Sequence, residues 1–123
     1  MNITEIAFTC YPVTDIPKAR AFYEGVLGLK PDFLGRPEAE TPWVEYQIGP
    51  HTLTIGCGGD WKPSRDGGGV ALEVSDFDAA VEKLRAANVP FRSEPYDGPI
   101  CRMVPVFDPD GNTVVIHQRK KKD

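Results

Sequence analysis

The stretch "VTDIPKARAFYEGVLG", residues 13–28, decides how the chain is read, because its pattern returns as "VSDFDAAVEKLRAAN", residues 74–88. In both, a valine is followed two positions later by an aspartate, which can accept hydrogen bonds from the free amides of a helix's first turn. Pro17 suits the start of the first helix and Gly28 is placed to end it. Ile16, Ala19, Tyr23, Val26 and Leu27 then fall on one stripe. In the second copy Phe77, Val81 and Leu84 form the stripe, and Asn88 supplies the left-handed stop.

Working outward, Asp15 and Asp76 stand 61 positions apart, and Val13, Leu53 and Ile55 find Val74, Val114 and Ile116 at the same offset. The turn "GPHT" (49–52) maps onto "DGNT" (110–113), and the densest run of breakers, "CGGDWKPSRDGGG" (57–69), lies between the halves. The chain therefore reads as one module written twice: a strand, a capped helix, then shorter strands separated by turns. The expected boundaries are a first module over about residues 1–57, a linker over 58–68, a second module over about 69–119 and a basic tail over 119–123. A module of about 60 residues buries only about 60% of its unfolded surface, so the two are expected to lean on each other or on a second chain.

Side chains alternate along a strand, so a half-buried strand shows two interleaved sets. In "GVALEV" (69–74) Val70, Leu72 and Val74 are expected beneath the helix, with Gly69, Ala71 and Glu73 opposite. Likewise Leu53 and Ile55 stand against Thr52, Thr54 and Gly56, and Val114 and Ile116 against Thr113, Val115 and His117. In "WVEYQI" (43–48) Val44, Tyr46 and Ile48 stand against Trp43, Glu45 and Gln47. The second sets are small or polar with an occasional aromatic, which fits a concave, partly wet surface. "IAFTC" (6–10) does not alternate cleanly. "CRMVPV" (101–106) puts Cys101 and Met103 on the open face if Val104 and Val106 face the helix, whereas copying the first half at offset 61 gives the other phase.

With 41% hydrophobic and 26% charged residues the chain has the composition of a soluble domain. A net charge of -4 argues against nucleic acid as a partner, and "RKKK" (119–122) reads as a solvated tail. No run reaches the roughly 18 apolar residues of a membrane span, and no basic-then-apolar leader opens the sequence, so a cytoplasmic protein without a membrane partner is expected. Cys10, Cys57 and Cys101 are odd in number and lack CxxC spacing, so reduced thiols are the expectation.

Together, "VTDIPKARAFYEGVLGLK", "LEVSDFDAAVEKLRAANVPF" and "DPDGNTVVI" resemble the vicinal oxygen chelate superfamily, which includes glyoxalase I, the extradiol dioxygenases and the bleomycin resistance proteins. The resemblance covers nearly the whole chain. It implies an α+β fold, two β-α-β-β-β modules whose curled mixed sheets surround a concave cavity, with helices on the outer face, in a single domain over 1–123. It also implies that metal-using members place one ligand, His, Gln or Glu, on the first and last strand of each module. The matching positions here are Phe8, Thr54, Gly69 and Val115. Phe, Gly and Val offer no side-chain donor and a neutral Thr hydroxyl is a poor one, so no metal and no other cofactor are expected. Glyoxalase and dioxygenase chemistry, which need the ion as Lewis acid or redox centre, are then not expected either.

Of the remaining chemistry, His117 lies two residues beyond Val115, hence on the same face, as a hydrogen-bond donor or a general acid or base. The alternative is a strand-end histidine half in solvent. Glu45 and Glu73 are placed on the cavity side too, with Glu45, mid-strand beside Trp43, weighted above Glu73. A displaced metal site from His117, Glu45 and Cys101 is not expected, because the only other histidine, His51, lies in a turn and a two-histidine site would need a distant loop or a second chain; Cys101 reads more simply as a structural thiol. Phe8, Trp43 and Met103 are candidates to line an apolar pocket for a flat ligand, as the resemblance to bleomycin resistance proteins implies, and Trp61 is a candidate for a dimer contact or the cavity rim. "DPDG" (108–111) is explained by backbone geometry: a proline with preset φ, an aspartate bonding its own backbone and a glycine at positive φ.

The leading expectation is a metal-independent, homodimeric binding protein that holds a small organic molecule against the concave sheet, through Phe8, Trp43, Glu45, Thr54, Glu73, Cys101, Met103, Val115 and His117. One alternative is a metal-free lyase or isomerase using His117 and Glu45 for proton transfer. Another is a non-catalytic interaction module whose pocket has collapsed around Phe8.

Overall fold

The structure, a computed structural model, describes residues 1–34 and 42–121, so the last two positions of the basic tail lie outside the described residues. The chain divides into two compact units, Met1–Pro63 and Ser64–Asp123.

The first unit runs β1 (Thr9–Pro12), α1 (Ile16–Arg20) continuing as a π-helical segment (Ala21–Val26), β2 (Pro31–Phe33), β3 (Trp43–Ile48) and β4 (His51–Gly56). Its sheet has the order β1-β4-β3-β2, with β1 parallel to β4 and the other pairs antiparallel. The second unit repeats this as β5 (Val70–Glu73), α2 (Phe77–Ala86), β6 (Tyr96–Asp97), β7 (Cys101–Phe107) and β8 (Thr113–Arg119), in the order β5-β8-β7-β6. Each is a β-α-β-β-β module with a mixed four-stranded sheet, the α+β architecture that the sequence repeat and the resemblance led us to expect.

The 61-residue repeat is carried by backbone chemistry. Asp15 and Asp76, both extended with φ near −140°, accept from the amides of Lys18 and Ala79 at 3.0 Å. This satisfies donors that a helix start otherwise leaves open. Gly28 (φ 76°) and Asn88 (φ 58°) end the helices in the left-handed region. Val13 N donates to Gly56 O and Val74 N to His117 O, each at 2.8 Å, so strand exit is fixed identically in both copies.

One feature departs from the sequence reading and two decide what it left open. First, the π-helical segment was not foreseen: Leu27 N donates to Phe22 O, five residues back, at 3.0 Å. The wider turn lets the adjacent Phe22 and Tyr23 both reach the core, where a regular stripe includes Tyr23 alone. Second, β1 begins only at Thr9, the fourth residue of "IAFTC", leaving Phe8 just before it, and Tyr11 and Val13 are the residues that bury. Third, β7 is out of step with the repeat. Gln47 pairs with Thr52 five residues on, but Phe107 pairs with Thr113 six residues on. The second hairpin thus has one extra residue, and copying the first half gives the wrong phase. Val104 and Val106 are fully buried, which leaves Cys101 and Met103 on the opposite face.

The helix-side core of the first unit contains Ala19, Tyr23, Val44, Tyr46, Leu53 and Ile55, and that of the second Phe77, Leu84, Val104, Val106, Val114 and Ile116. Phe77 also takes the guanidinium of Arg102 over its ring at 4.5 Å.

Candidate functional site

On the open face of the first sheet, strand register sets out rows of side chains. Cys10, Thr54, Glu45 and Phe33 form one row across four strands; Pro12, Gly56 and Trp43 form the next. Trp43 is the centre of an aromatic group. Phe8 meets it edge-on at 5.8 Å between ring centroids, and Trp61 stacks on it at 6.4 Å with the planes 24° apart. Gly56 is the floor, for a Cβ there would lie 2.8 Å from a ring carbon of both Trp43 and Trp61. The indole Nε1 of Trp43 donates to Glu45 Oε2 at 2.7 Å, which fixes the carboxylate beside the rings.

Thr54 is completely buried and donates its hydroxyl to the carbonyl of Thr9 at 3.1 Å. Its neighbour Cys10 has its thiol pushed up, mainly by burial and further by the Glu45 charge, against the lowering hydrogen bond with Thr54. That thiol stays protonated near neutral pH and is a weak nucleophile. Of the residues singled out in sequence, Phe8, Trp43, Glu45 and Thr54 gather here, with Trp61. Cys10 was missed, although it lies two residues beyond Phe8 and alternation alone places it on this face.

The open face of the second sheet is more aliphatic. Ala71, Val115 and Pro105 make one row; Glu73, His117, Met103 and Tyr96 make the next; Cys101 stands beside Arg119. Gly69 directly precedes β5. His117 Nδ1 lies 2.6 Å from Glu73 Oε1, and the Arg119 amide donates to Glu73 Oε2 at 2.7 Å. The Arg119 amide, then the His117 ring, holds the Glu73 carboxyl below its ordinary value. Glu73, rated below Glu45 in sequence, is thus the carboxylate bonded to His117, while Glu45 is bonded to Trp43.

At the other end of this face Phe107 pairs with Thr113 and carries the Arg65 guanidinium over its ring at 5.0 Å. Thr113 donates to the Arg65 carbonyl at 2.8 Å, and Arg92 donates to Thr113 at 3.1 Å while pairing with Asp66 at 2.8 Å. The "DPDG" turn alongside is structural. Asp108 is buried, its Oδ1 accepting from the amides of Asp110 and Asn112 and its Oδ2 from the Asn112 side chain, each at 2.9 Å, and Gly111 has φ 84°.

The resemblance implies a metal at Phe8, Thr54, Gly69 and Val115, and these residues do not fit one. Phe8 packs on Trp43, the Thr54 hydroxyl is committed to a carbonyl, and glycine and valine have no donor. Among the described residues no three or more His, Cys, Asp or Glu side chains are grouped to hold a metal ion.

A model of the Glyoxalase/Bleomycin resistance protein/Dioxygenase superfamily matches residues 5–116. Among solved structures the chain is similar to TnmS3, an antibiotic binding protein from Streptomyces sp. CB03234, at 26% identity and TM-score 0.78, covering 98% of this chain and 99% of that one. It is also similar to a glyoxalase/bleomycin resistance protein from the same organism, at 26% identity and TM-score 0.73, covering 93% and 100%. The E126Q mutant of the fosfomycin resistance protein FosX from Listeria monocytogenes, complexed with Mn(II) and 1S,2S-dihydroxypropylphosphonic acid, shares the fold at 17% identity and TM-score 0.80, over 97% and 95% of the chains. Comparison with curated protein sequences finds no match.

Proposed function

Because the chain belongs to the Glyoxalase/Bleomycin resistance protein/Dioxygenase superfamily, we propose that it is a metal-independent protein that binds a small organic molecule against its open sheet faces. The observation that carries this reading is the chemistry of the four ligand positions, none able to serve an ion well, beside open faces that keep aromatic and aliphatic side chains with a few polar groups. The similarity to an antibiotic binding protein over nearly the full length of both chains supports a ligand of that kind. The ligand-contacting set is Phe8, Trp43 and Glu45 on one sheet, with the expected Thr54 buried beneath them, and Glu73, Cys101, Met103, Val115 and His117 on the other. The two modules and their linker make one domain, working as a homodimer in the cytoplasm, a compartment that suits the free thiols Cys10, Cys57 and Cys101. No helix among the described residues is long and apolar enough to cross a membrane.

A thermal-shift screen against metabolites and antibiotics tests the reading, since a ligand of the native state raises the melting temperature by mass action. Elemental analysis of protein purified without chelators is the companion measurement, and near-stoichiometric zinc, iron, manganese or nickel overturns the metal-independent reading. A second reading, a metal-free lyase or isomerase, is favoured by the Glu73–His117 hydrogen bond, since a carboxylate-held imidazole is suited to proton transfer. His117→Ala abolishes turnover if that reading holds and only alters affinity if the protein is a binder.

A further inference from the structure

The row that crosses the second sheet has a polarity that the binding reading does not use. Glu73 spends both carboxylate oxygens, Oε1 on His117 Nδ1 and Oε2 on the Arg119 amide, and its carboxyl is held in the ionised form. An ionised carboxylate only accepts, so the proton on the neutral ring sits on Nδ1 and Nε2 carries the lone pair. Among the described residues Nε2 has no hydrogen-bond partner, and the side chain is 22% exposed, so the lone pair is both oriented and reachable. Its nearest neighbours are apolar: Met103 is the cross-strand neighbour, and Val115 and Pro105 fill the next row, while the Tyr96 hydroxyl lies on the far side of Met103 and the Arg119 guanidinium is 4.0 Å from Glu73 Oε1.

We infer that the Glu73–His117 pair is an oriented hydrogen-bond acceptor that selects flat, apolar ligands bearing an acidic hydroxyl, a phenol or an enol. The inference rests on the reading that the open faces hold the ligand. A hydroxyl lying over Val115 donates to Nε2, and the apolar row receives the rest of the molecule. An ether of the same shape brings no donor and leaves the desolvated Nε2 unpaired, a loss of about tenfold in affinity. Glu73 is here a positioning residue, acting through the tautomer that it imposes on His117.

The test titrates the full chain with 2-naphthol and with its methyl ether by isothermal calorimetry. Wild type is expected to prefer the naphthol by about tenfold. His117→Phe, which keeps a flat ring, and Glu73→Gln, whose amide can donate as well as accept, are expected to bring the ratio towards one. Long-range proton–nitrogen spectra of the wild type give a readout independent of any variant's folding: the neutral ring is expected as the Nδ1-protonated tautomer. An Nε2-protonated ring, or binding of both probes without preference, overturns the inference and leaves the open-face reading standing. Failure of both probes to bind overturns the open-face reading for flat aromatic ligands, and this inference with it.

Discussion

Gly56 shows how one residue conditions the first open face. With no side chain, it admits Trp43 and Trp61 at a distance where any Cβ collides with both rings. Gly56→Ala is expected to displace one indole and destabilise by about 1–3 kcal/mol, measured by denaturant unfolding together with a change in tryptophan emission. An unchanged emission maximum and midpoint would count against the stack as drawn. Thr54 is a gentler case. Thr54→Val removes a buried hydroxyl that donates to Thr9 O, and unfolding should reveal a loss of about 1 kcal/mol. Trp43 and Thr54 were legible as open-face residues because alternation fixes which way a strand side chain points, whereas Phe8, which precedes β1, was legible only through the resemblance. That Trp61 covers Trp43 was not, because a side chain in a glycine-rich linker has no periodicity to announce its direction.

Among the elements, the two helices depend on their first residues. Asp15→Ala and Asp76→Ala should each cost about 1 kcal/mol, and because the caps lie in separate units the double variant should show nearly the sum in chemical denaturation. The π-helical segment carries a second device. Glu24 accepts from Arg20 at 2.6 Å and from the Tyr46 hydroxyl at 2.9 Å, and these bonds, with Arg20 the largest cause, hold its carboxyl below the ordinary 4.5. Burial chiefly, then the bond to Glu24, pushes the Tyr46 phenol up. A carboxyl whose folded value is depressed contributes fully above its unfolded value, and the contribution is lost as pH falls through the folded one. Unfolding measured from neutral to acid pH should therefore lose stability below about pH 4.5, and Glu24→Gln should flatten that part of the profile. The helix bounds could be read from Asp15, Gly28, Asp76 and Asn88, whereas the π segment could not, since "AFYEGV" has no feature that separates it from an ordinary helix.

For the whole molecule, the first unit bears most of the exposed large apolar side chains, with Ile3, Ile6, Phe8, Phe33 and Leu34 all at least half exposed. Surface of this kind marks an interaction site more often than a solvated face. Light scattering should accordingly give a mass about twice the 13.6 kDa of one chain, and a strictly monomeric protein at working concentration would contradict the homodimer.

The sequence by itself determined the module, its duplication, the helix caps and most of the open-face residues, because each rests on a local rule: an offset of 61, a capping aspartate, a period of two. Only the tertiary structure decided what depends on register between distant strands. The extra residue in the β7–β8 hairpin reverses the phase that the repeat suggests and brings Met103 beside His117. Parallel pairing of β5 with β8 sets Glu73 against a histidine 44 residues away, a neighbour that no spacing rule selects and that makes Glu73, rather than Glu45, the carboxylate of that face.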